Sequence, residues 1–370
     1  MRRPRRAADR SGTYRSDDAE QGGQVTRPRP LVPRSDPADT VKVVGEFAVI
    51  ARVVAAAGTA AAAEVGPGDD AAVVRTPDGR VVATTDVLVE GRHFRRDWSS
   101  AEDVGHKAAA ANLADVAAMG ARATALLVGV VCPPDTATTW LEGVAAGLAA
   151  ECAPLGAAVV GGDTVAAAPG SDAVVLSVTA LGDLEGRAPV LRSGARPGDV
   201  VALAGRLGWS ACGLAVLRRG FTSPLAAVAA HRRPEPPYAA GPAAAGAGAT
   251  AMCDVSDGLL ADAAHLAAAS RVTIDLDRPA LVRTCLEPAG PLHQVASALG
   301  GDPLAWVLTG GEDHALLATF PGDARLPDGW TAIGSVRSAR DDHGVTVNGE
   351  PATAVVRAVG AEGAGHVHFG

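Results

Sequence analysis

Acidic side chains recur beside glycines or hydroxyls in six short segments of this chain. They are Gly68-Asp69-Asp70, Thr84-Thr85-Asp86, Asn112-Leu113-Ala114-Asp115, Gly161-Gly162-Asp163-Thr164, Asp254-Val255-Ser256-Asp257-Gly258 and Gly310-Gly311-Glu312-Asp313. Carboxylates in apolar surroundings are costly to bury unless something positive compensates them. Oxygen-rich sites suit hard cations such as Mg²⁺, which take a few carboxylates while a substrate's phosphates supply further oxygens. The chain has only two lysines, Lys42 and Lys107, and no glycine-rich phosphate loop ending in Lys-Ser or Lys-Thr. If it handles a nucleotide, metal ions must supply most of the positive charge.

Each segment also has a plainer reading. Asp69 and Asp70 stand at the mouth of a strand, where alternation turns only one acid toward a given site; Asp70 is favoured, and a strand-initiating turn is the alternative. Thr84, Thr85 and Asp86 end a buried-looking strand with clustered oxygens, or form a helix cap or turn. His93, in Gly91-Arg92-His93-Phe94, reads by itself as a hydrogen-bonding group. On one helical face Lys107, Ala111 and Asp115 line up, so Asp115 is either a ligand beside an apolar stripe or an exposed partner of Lys107. Gly161 and Gly162 follow an apolar run and allow close backbone approach to a phosphate. Asp254 to Gly258 runs from a strand end to a helix start, a place for phosphate and metal together; the bland role for Ser256 is to cap that helix.

These residues need elements to carry them. Helical spacing begins near Val41 and continues through Gly45–Val54. Val-rich strands are expected at Ala71–Arg75, Val81–Leu88, Ala125–Val131 and Ala173–Leu181, with helices at Ala101–Met119 and Thr136–Ala153. Arg192–Asp199 is turn-rich and marks a domain boundary. Beyond it come a strand at Val200–Ala204, a helix at Ser210–Arg218, a strand–helix unit around Asp254–Ser270, strands near Trp306–Leu308 and at His314–Phe320, and a closing pair around Ala332–Val347. Residues 223–250, rich in Pro and Ala, receive no assignment.

Composition narrows the classes. The 370 residues, 48% hydrophobic but 3% aromatic, suffice for two medium domains. No uncharged apolar run is long enough for a membrane span. Five scattered cysteines, without a CxxC pair, argue against a disulfide framework or zinc site and for a reduced, cytoplasmic setting. Residues 1–34 hold nine Arg and four acids, a net +5 against −8 for the whole chain, leaving an acidic body at −13. Such a body argues against nucleic acid as the main partner. The basic head reads as a disordered, solvated extension.

Taken together, GDDAAVV, TTDVLVEGRHF, HKAAAANLADVAAMGA, VGGDTV, RSGARPGD, AMCDVSDGL and LTGGEDHAL resemble, in order and rough spacing, the bacterial thiamine-monophosphate kinases. Those enzymes belong to the superfamily typified by aminoimidazole ribonucleotide synthetase. The resemblance covers roughly residues 45–350. It implies ATP-dependent phosphorylation of thiamine monophosphate to thiamine diphosphate by a homodimer. The implied fold is α/β plus α+β: an N-terminal α/β half contributing to a dimeric β-barrel, then a C-terminal α+β half. The corresponding division is a basic extension at 1–40, domains at 41–190 and 191–355, and a tail at 356–370. By the same resemblance, Asp70, Thr84, Thr85, Asp86, Asp115, Asp163, Asp254 and Asp257 hold several Mg²⁺ ions. Gly162, Asp163, Arg192 and Ser256 contact ATP, and His93 and Glu312 contact thiamine monophosphate. The family often has an aromatic substrate contact near its C-terminus. The tail Gly365-His366-Val367-His368-Phe369-Gly370 has neither Trp nor Tyr, and no substrate residue is assigned there.

Two other readings are another ATP-using enzyme of the superfamily and a non-catalytic nucleotide or metal sensor. A selenophosphate synthetase-like enzyme should carry a reactive Cys near its N-terminus, whereas the first Cys here is Cys132. For the basic head, a chain starting near Asp39 is expected to fold, dimerise and phosphorylate like the full chain. Sedimentation and kcat of the shortened chain check this, and a large loss of either would place residues 1–38 in the working structure.

Overall fold

The fold is described from a computed structural model, which describes residues 36, 39–58, 63–65, 73–339, 344–361 and 363–365. Asp70, most of the basic head and the residues 366–370 lie outside the described residues. The first half runs α1 (Val41–Val44), α2 (Glu46–Ala57), β1 (Ala63–Val65), β2 (Val73–Val74), β3 (Val82–Val89), α3 (Ala101–Ala118), β4 (Arg122–Cys132), α4 (Thr138–Cys152), β5 (Ala158–Ala166) and β6 (Val175–Asp183). The second half runs β7 (Val200–Ala204), α5 (Trp209–Leu217), α6 (Leu225–Arg232), α7 (Ala240–Gly246), β8 (Ala251–Val255), α8 (Leu259–Ser270), β9 (Val272–Leu276), α9 (Arg278–Cys285), α10 (Pro291–Leu299), α11 (Pro303–Thr309), β10 (Ala315–Phe320), β11 (Trp330–Ser338), β12 (Gly344–Val347), β13 (Glu350–Pro351) and α12 (Ala352–Ala358).

Each half has its own large sheet, and β1 and β2 pair separately as a two-stranded antiparallel sheet. Four strands in the order β3-β6-β4-β5 form an open sheet, and seven in the order β13-β12-β9-β11-β7-β10-β8 form the other. Along β3, Val82, Thr84, Asp86 and Leu88 are the more buried residues, while Ala83, Thr85 and Val87 are exposed, the period of two expected of a half-covered strand. Helix α3 covers the buried face, packing on β3, β4 and β6, and its other side touches β8 and β10 of the second sheet. It starts with a capping box, Ser100 accepting from Asp103 N while Asp103 accepts from Ser100 N. Alanines let it lie close to both neighbours, so Ala117 and Ala118 join Ala202, Met252 and Leu316 in one apolar cluster between the sheets. At Gly105, a Cβ would run into the Val144 carbonyl of α4.

Several expectations need correction. Trp306–Leu308 lies in helix α11, not a strand: Asp302 accepts from Leu304 N at 2.9 Å and Pro303 presets the first turn. Gly161 to Thr164 do not follow a strand but lie inside β5, paired with Leu127 to Val130 of β4. The closing strands β11 and β12 do not pair with each other; they flank β9 on opposite sides. Residues 223–250 hold the helices α6 and α7. At the N-terminal edge, Asp39 accepts from Arg52 Nη1 at 2.9 Å and its carbonyl takes Thr138 N at 3.0 Å. The shortened chain proposed above must keep that residue.

Candidate active site

Helix α3 and strand β3 build the first part of the site. Thr84 and Asp86 share the α3-facing side of β3. Thr84 Oγ1 donates to Asp115 Oδ2 at 2.8 Å, and Asp86 N donates to Asn112 Oδ1 at 3.1 Å. The alternative role of Asp115, as an exposed partner of Lys107, is not adopted, because Lys107 pairs with Glu312 instead. Burial pushes the Asp115 carboxyl up to about 7, the negative charges of Asp254 and Asp86 add to the rise, and the Thr84 hydroxyl opposes it. Asp254, from β8 of the second sheet, is buried, with His314 Nδ1 at 3.2 Å from its Oδ2. His314 is shifted upward: burial opposes the charge, but the bond to Asp254 and that carboxylate's field outweigh it.

The cluster extends into α8. Asp262 Oδ2 accepts from Asp257 N and Gly258 N, both at 3.0 Å. Asp262, and not Ser256, therefore satisfies the start of this helix. Burial and the charge of Asp254 push the Asp262 carboxyl up to about 7. Asp257, Asp262 and His265 offer ligand atoms that all lie within 4.8 Å of one another. Asp262 and His265 escaped the sequence reading. Their signal was an acid and an imidazole three residues apart on the helix after the Ser-Asp-Gly turn, which only the fold brings back to Asp257.

A second group adjoins the first through the 310–314 segment. Glu312 and His314 both adopt left-handed backbone, at φ 63° and φ 51°, a conformation uncommon outside glycine and concentrated at functional sites. Glu312 N donates to Ser256 O at 2.8 Å, and a Cβ at Gly311 would strike that same carbonyl. The neighbouring acids part company here. Asp313 turns inward to accept from Trp209 N and Ser210 N at the start of α5, at 3.0 and 2.8 Å. Glu312 reaches the first half of the chain, accepting from Lys107 Nζ at 2.7 Å, and the same ammonium donates to the His93 carbonyl at 3.1 Å. Burial works against ionisation of Glu312, but Lys107 outweighs it and holds the carboxyl down at about 2. His93 itself accepts from Val89 N through Nδ1 at 2.9 Å, which leaves the ring proton on Nε2.

Not every expected residue converges. Thr85 points to the opposite face of the sheet, donating to Val178 O at 3.0 Å. Gly162 and Asp163 lie on β5, at the far side of the four-stranded sheet from β3, three strand spacings or about 14 Å away. Gly162 has a packing reason to be glycine, since a Cβ would enter the Val128 carbonyl. Arg192 is exposed beside β8, its carbonyl accepting from Ser270 Oγ at 3.1 Å.

Crowded carboxylates give a pH signature. Asp115 is raised in the folded protein above its unfolded value near 4, so the stability it contributes is present at low pH and lost as pH rises through about 7. Asp115→Asn removes that loss. Without metal, the variant is expected to melt above wild type at pH 8 and to approach it at pH 5. Equal melting temperatures at pH 8 would contradict the crowding.

Known proteins can be set beside this geometry. The family model described as "AIR synthase related protein, N-terminal domain" matches residues 68–184, and its C-terminal counterpart matches 196–297. The chain is 50% identical to the thiamine-monophosphate kinase of Mycobacterium tuberculosis over 80% of its own length and 86% of the relative's. To the Corynebacterium glutamicum thiamine-monophosphate kinase it is 42% identical, covering 84% and 91%. A solved structure of AaThiL complexed with AMPPCP and TMP superposes with a TM-score of 0.69 at 33% identity, covering 89% of this chain and 98% of that one. Hydrogenase maturation protein HypE, at 19% identity and a TM-score of 0.60, shares the fold. With two large sheets, two matched family domains and relatives that align along most of their length, the chain belongs to the thiamine-monophosphate kinase family and has its two-domain architecture.

Proposed function

We propose that this protein transfers the γ-phosphoryl group of ATP to thiamine monophosphate, giving thiamine diphosphate and ADP. Family membership supports the reaction, and AaThiL complexed with AMPPCP and TMP supports the pair of substrates. Within this chain, the observation that carries the reading is the convergence of Thr84, Asp86, Asp115 and Asp254 from both halves onto one place.

The acceptor is a phosphate oxygen, already anionic near neutral pH, so no strong general base is required. The barrier lies in aligning two polyanions. The donor set fits a hard cation: it is all oxygen, and its buried negative charge is already in excess, as the raised Asp115 and Asp262 carboxyls attest. Thr84, Asp86, Asp115, Asp254 and Asp257 would hold Mg²⁺ on this side, with Asp70 and Asp163 as further ligands. Bound there, Mg²⁺ supplies the positive charge that offsets repulsion between donor and acceptor phosphates. His314 steadies Asp254, and Thr84 steadies Asp115. In this reading Arg192 and Ser256 contact ATP, and His93 and Glu312 contact thiamine monophosphate.

The exposed face of the four-stranded sheet supports the homodimer. Val87 and Val165 are 49% and 51% exposed there, with Leu127 and Val131 between them. Such a face is the expected cost of a sheet left open in one copy, and pairing it with a second copy would form the dimeric barrel. Asp163 lies in the same cross-sheet row as Val87, so its role and that of Gly162 belong to the assembled dimer. Residues 41–190 and 191–355 are the proposed domains. Among the described residues no helix is long and apolar enough to cross a membrane. The five cysteines are free thiols, which a reducing cytoplasm preserves.

The direct test is incubation with ATP, Mg²⁺ and thiamine monophosphate, followed by assay for thiamine diphosphate. Asp86→Asn and Asp115→Asn are each expected to lower kcat by about a hundredfold or more while the protein stays folded. Retention of most of the wild-type rate by both variants at limiting Mg²⁺ would remove the carboxylate cluster from the mechanism.

A further inference from the structure

Lys107 occupies a place that the phosphoryl-transfer account leaves unused. It sits on α3 among alanines with 6% of its side chain exposed, while its partner Glu312 keeps 35%. A buried ammonium is costly unless it is paired and hydrogen-bonded, and this one is bound to both proposed acceptor contacts. Nζ donates to Glu312 Oε2 at 2.7 Å and to the carbonyl of His93 at 3.1 Å. The buried cation thus stands behind two groups that both retain accessible surface. It ties the 89–94 turn of the first half to the 310–314 segment of the second.

We propose that Lys107 is a positioning residue for the acceptor substrate, fixing the Glu312 carboxylate and the His93 turn in one geometry. The proposal rests on the reading of Glu312 and His93 as thiamine monophosphate contacts. The backbone at Glu312 is already held by its left-handed conformation and its bond to Ser256 O. What remains to be set is the direction of the carboxylate, and Lys107 sets it. The other titratable groups whose charge reaches Glu312 are His231 of α6 and His314 at the start of β10. Burial pushes His231 down to about 3, so it is neutral at working pH and cannot replace the ammonium. A carboxylate paired at this distance presents little net charge to its substrate. It is better suited to accept a hydrogen bond from a neutral donor, such as the amino group of an aminopyrimidine, than to balance a distant cation.

The test compares Lys107→Met, Glu312→Gln and the double variant by steady-state kinetics with both substrates varied. Lys107→Met is expected to raise KM for thiamine monophosphate about tenfold or more, the worth of a charge-assisted contact. KM for ATP should stay within about twofold, and kcat at saturation within about threefold. Lys107→Arg, which keeps the charge, should recover part of the loss. The double variant should match Glu312→Gln, because Lys107 acts through that carboxylate. A double variant markedly worse than Glu312→Gln, or a Lys107→Met that raises both KM values alike, overturns the proposal. If Lys107→Met alone does not fold, the double variant, which leaves no unpaired buried charge, carries the comparison. If that too is unfolded, Lys107 is structural and the proposal fails. An unchanged thiamine monophosphate KM in Glu312→Gln would instead show that Glu312 is not an acceptor contact, which is failure of the underlying reading.

Discussion

Negative charge gathered where α3 meets β8 is the constraint around which this protein is arranged. Asp86 and Asp115 come from the first half, Asp254 and Asp262 from the second, and at least two of these carboxyls are driven to about 7 by burial and by one another. Such an arrangement opposes folding in the absence of a cation. It is tolerable because the rest of the structure is built to hold the two halves together against it. Ala117 and Ala118 pack against Ala202, Met252 and Leu316, and the Lys107–Glu312 pair joins the halves at one flank of the cluster.

The composition of α3 follows from that demand. A helix that must touch a sheet on one side and a second sheet on the other has room for small side chains. Its six polar residues are each engaged: Glu102 with Arg233, Asp103 with Ser100, His106 with Glu151, Lys107 with Glu312, Asn112 with the backbone of Asp86, and Asp115 with Thr84. The 310–314 segment answers it from the other half. Two non-glycine residues in left-handed backbone send Glu312 toward the first half, Asp313 to the start of α5 and His314 to Asp254. Three successive side chains thus pair with Lys107, hold the start of α5 and orient the Asp254 carboxylate. Local strain at such a site is offset by the packing around it.

Much of this was legible in the sequence where the signal is local. The Val-rich run Val81–Leu88 marked β3, and the spacing of Lys107, Ala111 and Asp115 placed them on one helical face. The ordered motifs identified the family. Other features depend on contacts that no local pattern encodes. The partner of Lys107 lies 205 residues away, so the spacing that suggested Asp115 pointed to the wrong acid. Trp306-Val307-Leu308 is too short for its period to tell strand from helix, and the decisive signal was the Asp302-Pro303 start. Gly161 and Gly162 read as glycines following a strand, free to approach a phosphate, whereas they lie within the strand and the Val128 carbonyl requires glycine at 162. Ser256 was the natural cap by residue type, yet the first-turn Asp262 reaches back to that position.

If the shared carboxylates bind a cation as proposed, carboxyls raised to about 7, such as Asp115, must give up protons as the metal binds. Calorimetric titration of the full-length protein with Mn²⁺ or Mg²⁺ at pH 7, in two buffers of different ionisation enthalpy, measures it most directly. The account predicts binding coupled to net proton release, with the release diminished in Asp115→Asn. Metal binding without proton release, or release unchanged in Asp115→Asn, would contradict it.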